Sequence, residues 1–162
     1  MRRKKKFLLL LLLILFIASG LFRDFVFVNV DEQTRIAYYH DTDSHLAASM
    51  KFLESFSYMT LYYFKWVLTL LFSFLFLTLS LGVIGLFFTK RVYVYWTIYA
   101  YAALFVLAGL FWGGGYLIHQ WEKGYIIARF LMGMAQGPIV LMVLLPAFRL
   151  AGTLQSGDDP IR

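Results

Sequence analysis

Apolar runs at residues 7–23, 59–88, 92–118 and 125–150 leave this chain few ways to fold. A helix needs roughly 20 apolar residues to cross the ~30 Å hydrocarbon core of a bilayer. All but the first run exceed that length. The first must stand nearly upright or thin the bilayer slightly, because at ~1.5 Å per residue it reaches only ~25 Å. The chain reads as an all-α integral membrane protein with four transmembrane helices and a single membrane domain over residues 1–162. A hydrophobic content of 61% and a mean hydropathy of +0.72 do not describe a water-soluble domain.

Charge placement sets the expected orientation. The net charge of +6 is not spread as a nucleic-acid-binding stripe; residues 2–6, Lys90, Arg91 and Arg149 sit beside the ends of apolar runs. Basic residues are retained on the cytoplasmic side, so both termini are expected inside and the acidic stretch at 24–58 outside. Arg2-Arg3-Lys4-Lys5-Lys6 and the run behind it would suit a signal peptide cut near Ala18-Ser19-Gly20, but the run exceeds the usual ~7–15 apolar residues. We therefore read an uncleaved first span. The absence of cysteine removes disulfides, thiolate metal sites and a cysteine nucleophile.

The outer stretch divides in two. Phe25-Val26-Phe27-Val28-Asn29-Val30 is β-branched and aromatic, which predicts a short extended or interfacial piece. Leu46, Met50, Leu53 and Phe56 fall near helical spacing and predict a short amphipathic helix, capped by Asp43 or Ser44. The second run is longer than a bilayer needs, so Tyr58, Tyr62, Tyr63, Lys65 and Trp66 are placed at the outer interface, with Lys65 snorkelling. Thr69, Ser73 and Ser80 form a thin polar stripe below them, with hydroxyls most simply satisfied by their own backbone. Tyr93, Tyr95, Trp96, Tyr99 and Tyr101 crowd the inner end of the third run as an aromatic belt.

The last run carries the most informative residues. Gly133 and Gly137 form a small-xxx-small face, expected to pack on the matching face of Gly109 and Gly113, beyond which Gly114 and Gly115 should loosen the helix. Pro138 removes the hydrogen bond to the Met134 carbonyl and should kink the helix, with Pro146 a second site for a bend. A guanidinium in hydrocarbon costs roughly 3 kcal/mol or more. Arg129 is therefore expected to snorkel, to pair with Glu54 or Glu122, or to share a polar pocket with Gln136, seven residues on. Residues 151–162 read as a cytoplasmic tail, disordered from Thr153.

Chemistry has one further candidate. His40, Asp41, Asp43 and His45 lie close together in sequence and would suit a metal ion or acid-base groups, with His119 and Glu122 able to complete the set. A solvated loop rich in turn-formers explains the same letters, and no cofactor is expected.

The combination of Phe22-Arg23-Asp24-Phe25, Tyr62-Tyr63-Phe64-Lys65-Trp66, Ala128-Arg129-Phe130-Leu131 and Leu144-Leu145-Pro146-Ala147-Phe148 resembles the small four-span membrane proteins associated with exosortases in Bacteroidetes. The glycines at 133–137 and the polar outer region depart from that pattern. The resemblance implies an accessory subunit beside a membrane protein-sorting enzyme in the bacterial cytoplasmic (inner) membrane, and it carries over no active site. The expected function is thus a non-catalytic accessory or assembly subunit whose partners are the bilayer and another membrane protein or a second copy. The competing readings are a membrane enzyme using the His/Asp cluster and a small transporter or lipid-binding protein with Arg129 as its anion contact.

Overall fold

A computed structural model describes residues 3–39 and 46–157, with side chains described as far as residue 151. The described chain is helical throughout: α1 (Arg3–Tyr39), a 3-10 helix (Ala48–Ser55), α2 (Tyr58–Phe87), α3 (Arg91–Leu117), α4 (Trp121–Ala135) and α5 (Ile139–Gly157). Each of α1, α2 and α3 is long and apolar enough to cross a membrane, and α4 with α5 makes a further such run, bent by 62° at a break. Large side chains such as Leu71, Phe74, Val106, Leu110, Ile126, Phe130, Met142 and Val143 face outward. Apolar surface on this scale is at home in lipid or against another membrane protein. The chain is a multi-pass helical membrane protein.

The first run does not end where hydrophobicity does. α1 continues for 37 residues, about 55 Å, so the expected outer loop at 24–58 begins as helix. The segment expected to be extended is part of it. Val26, Asn29, Val30 and Gln33 are all buried, at spacings of three and four that line one helical face. The strand preference of β-branched residues spans only ~1 kcal/mol, and burying two valines on that face outweighs it. Arg35 closes an ion pair with Glu32 one turn back, at 2.8 Å.

The expected amphipathic α-helix is instead the 3-10 helix, anchored by the fully buried Leu53. Ala47 precedes it without a side-chain cap. Asn29 of α1 takes over part of that role: its Oδ1 accepts from the Ala47 N–H at 2.9 Å, while its Nδ2 donates to the Phe25 carbonyl. Asp43 and Ser44, the expected caps, lie outside the described residues.

α2 is the centre of the molecule. Of its apolar window 44% is buried, against 11% for α1 and 17% for α3. Ser57 caps it by accepting from the Thr60 N–H. Phe72, Phe76, Val83 and Ile84 pack with Phe16, Val26 and Val30 of α1 in the main core. Phe16 meets Phe76 edge to face at 5.0 Å. On its other side α2 meets α3, where the Ser80 and Tyr101 hydroxyls are hydrogen-bonded to each other, their oxygens 3.0 Å apart. Ser80 thus bonds across helices, whereas Ser73 donates to its own backbone at the Thr69 carbonyl. The expected aromatic belt on α3 divides accordingly. Tyr95, Trp96 and Tyr99 are exposed, but Tyr93 and Tyr101 are buried, because they fall on the face turned to α2 and α5.

α3 runs through the glycine run without loosening and stops in a Schellman arrangement. The Gln120 N–H reaches the Gly115 carbonyl, the His119 N–H reaches that of Tyr116, and His119 takes the left-handed conformation, φ 57°, usually left to glycine. The close approach of α3 and α4 lies beside this turn. A Cβ on Gly124 would sit 2.5 Å from the Phe111 carbonyl oxygen and 2.8 Å from the Gly115 Cα. By contrast, a Cβ on Gly109, Gly113 or Gly133 would meet nothing within 4 Å, and one on Gly137 would meet only carbonyl oxygens of its own segment. The expected packing of the 109/113 face on the 133/137 face is not formed within the chain, since the short turn brings the two helices together through Gly115 and Gly124 instead.

The bend falls at residues 136–138, where Pro138 has no N–H to continue the ladder. Pro146 lies inside α5 without dividing it. Beyond the bend α5 reaches the α2–α3 turn, where Phe148 packs on Tyr93 at 4.9 Å and on Phe88 at 5.8 Å. The bent pair therefore travels the length of the bundle. α5 extends to Gly157, past the expected start of a disordered tail; residues 158–162 lie outside the described part.

Candidate functional site

The polar side chains that hydrophobicity alone would forbid gather in two layers between α1, α2 and α4. In the deeper layer Gln136 closes the C-terminus of α4, its N–H bonded to the Met132 carbonyl. Its side chain turns into the bundle and is 4% exposed. Oε1 accepts from Arg23 Nε at 3.3 Å and Nη2 at 3.2 Å, and Nε2 donates to the Thr69 carbonyl at 3.0 Å. Arg23 is held from two further sides, donating through Nη1 to Asp24 at 2.6 Å and lying over the Phe27 ring at 5.1 Å. One amide thereby ties three helices together.

The second layer is a shared ion pair. Asp31 of α1 meets Lys65 Nζ of α2 at 2.5 Å and Arg129 Nη2 of α4 at 3.2 Å. The layers follow from helix geometry: Lys65 and Thr69 are one turn apart on α2, Arg129 and Gln136 two turns apart on α4, and Arg23 and Asp31 about two turns apart on α1. Three helices with polar groups in register meet along one seam. Lys65 is the better covered cation, its side chain 22% exposed against 62% for Arg129. Exposure on that scale leaves the Arg129 contact worth roughly 0–1 kcal/mol. The Gln136 bonds are better shielded, and the two it accepts from the Arg23 guanidinium are charge-assisted and worth more.

The partners of Arg129, Gln136 and Lys65 differ from those expected. Arg129 pairs with neither Glu54 nor Glu122 but with Asp31. It shares a face with Gln136 yet does not bond to it; each takes its own partner on α1. Lys65 does not snorkel freely but pairs across to α1. Arg23, Asp31 and the Thr69 carbonyl are members of this seam that sequence reasoning passed over. Their signal was present, since Arg23 and Asp31 share a helical face, but it vanishes once the helix is assumed to end at residue 23.

Above the ion pair lies an open cavity of about 540 Å³, lined by Asp31, Thr34, Arg35, Tyr38, Tyr39, Tyr58, Lys65 and Arg129. His119 and Glu122 line a separate, smaller depression on the α3–α4 turn, where the His119 backbone ends the helix. Among the described residues no three His, Asp or Glu side chains gather closely enough to hold a metal ion; His40, Asp41, Asp43 and His45 lie outside the described residues. Comparison of the chain with protein-family models, with curated proteins and with solved structures finds no match.

Proposed function

We propose that this chain is a non-catalytic accessory subunit that meets a second membrane protein through α3 and holds the outer part of α1 rigid for it. The observation that carries this reading is the fixing of α1 beyond its apolar part. Residues 24–39 continue as helix, are clamped by Asp31 to Lys65 and Arg129, and are braced by Asn29 against Ala47. Holding this outer part of the helix in one place costs conformational entropy, which suits a docking element better than a tether. On α3, Ala102, Val106 and Gly109 are exposed at spacings that share one face with Gly113, and the open space over the glycines supports close approach by a partner helix. In this reading the bent pair α4–α5 is a fourth span, the basic end faces the cytoplasm of a bacterium by charge bias, and the resemblance to exosortase-associated proteins suggests a protein-sorting enzyme as partner.

Crosslinked in native membranes and extracted in mild detergent, the chain is expected to run as one discrete complex. Gly113→Leu should reduce that complex by about tenfold, a 1.4 kcal/mol loss at the interface, without destabilising the isolated chain. Recovery only as a monomer after crosslinking, or an unaffected Gly113→Leu complex, would contradict the reading.

A further inference from the structure

We propose that the cavity above the Asp31 ion pair binds a phosphate group, carried on a lipid headgroup or free in solution, through Lys65 and Arg129. Charge is the first argument. Lys65 and Arg129 share the one carboxylate of Asp31, so the trio keeps one positive charge, while Arg35 beside it is paired with Glu32. Donor capacity is the second. An ammonium carries three N–H donors and a guanidinium five. Among the described residues Arg129 spends a single bond, from Nη2, on Asp31, and its side chain, in the cavity lining, is 62% exposed. An arginine fork beside a lysine point charge is the arrangement that tetrahedral phosphate oxygens accept from.

The surroundings fit the same ligand. Tyr38, Tyr39 and Tyr58 line the walls and bring phenolic hydroxyls, which suit the remaining oxygens. At about 540 Å³ the open cavity has room for a phosphate group. Its level in the membrane is marked by aromatic rings: Tyr62 packs against Trp66, the residue after Lys65, and Trp66 against Trp112 at 6.4 Å. Such rings settle at headgroup depth, where lipid phosphates reside. Arg129, the more exposed cation, would meet the phosphate first, with Lys65 as the floor.

The test is native mass spectrometry of the full chain in detergent, titrated with phosphatidylglycerol and, separately, with diacylglycerol, which has the same tails and no phosphate. Thermal unfolding in inorganic phosphate forms a second arm. Phosphatidylglycerol should be retained and diacylglycerol not, with retention reduced about tenfold by Arg129→Gln, restored by Arg129→Lys and unchanged by Arg91→Gln at the opposite end. A rise in melting temperature with millimolar inorganic phosphate, lost in Arg129→Gln, assigns the free ion as ligand; retention of the lipid without that rise assigns the headgroup. Equal retention of both lipids, an equal loss in Arg129→Gln and Arg91→Gln, or no response in either arm would overturn the proposal.

Discussion

Substituting alanine for Gly124 is expected to cost about 3 kcal/mol of stability, the upper part of the usual range for overpacking, and to separate α3 from α4. The added methyl would stand 2.5 Å from the Phe111 carbonyl oxygen and 2.8 Å from the Gly115 Cα. Both are backbone atoms and cannot rotate aside as a flexible side chain would. Gly115→Ala should behave similarly, since its Cβ would meet the Gly124 Cα at 2.8 Å. Gly113→Ala and Gly133→Ala should be neutral or stabilising by up to about 1 kcal/mol, because alanine is the better helix former and neither methyl would touch anything within 4 Å. Reversible unfolding in mixed detergent micelles separates the two classes. Equal behaviour of all four variants would show that the hairpin is not closed through this contact.

Gln136→Leu, similar in volume, is expected to cost about 2 kcal/mol, because it strands the Arg23 guanidinium in a partly buried site. The Thr69 carbonyl keeps its bond from Ser73, so the penalty rests mainly on the arginine, which among the described residues retains Asp24 and the Phe27 ring. A double-mutant cycle with Arg23→Met isolates that share: the double variant should recover about 1 kcal/mol or more relative to the sum of the single losses. Strict additivity would mean that the two side chains do not stabilise one another. The Arg129 contact with Asp31, being exposed, should show much weaker coupling.

These expectations mark where the sequence was legible. The positions of α2 and α3, the last apolar run and the bend at Pro138 could be read from run length and from the missing N–H, which are local properties. The burial of Gln136 was foreshadowed by its company on one face with Arg129. The true length of α1 was not legible, because residues 24–39 are polar and β-branched and become helical only through the face that Val26, Asn29, Val30 and Gln33 turn to the core. Losing that helix hid Asp31, and with Asp31 the reason for Lys65 and Arg129. The glycines misled for a related reason: Gly109 and Gly113 announce a close-packing face by their spacing, whereas Gly115 and Gly124 sit on either side of a turn with no periodic relation. Only the turn geometry set by His119 brings them together.

The account rests most heavily on α4 and α5 being one broken crossing whose bend delivers Gln136 to Arg23 and Thr69. The chain has no cysteine, so single substitutions Lys123→Cys, Thr89→Cys and Gln155→Cys can be probed in intact cells with a membrane-impermeant maleimide. Lys123→Cys should label at once, while Thr89→Cys and Gln155→Cys should label together and only after permeabilisation. Labelling of Gln155→Cys alongside Lys123→Cys, with Thr89→Cys still protected, would make the bent pair a re-entrant hairpin and contradict the crossing.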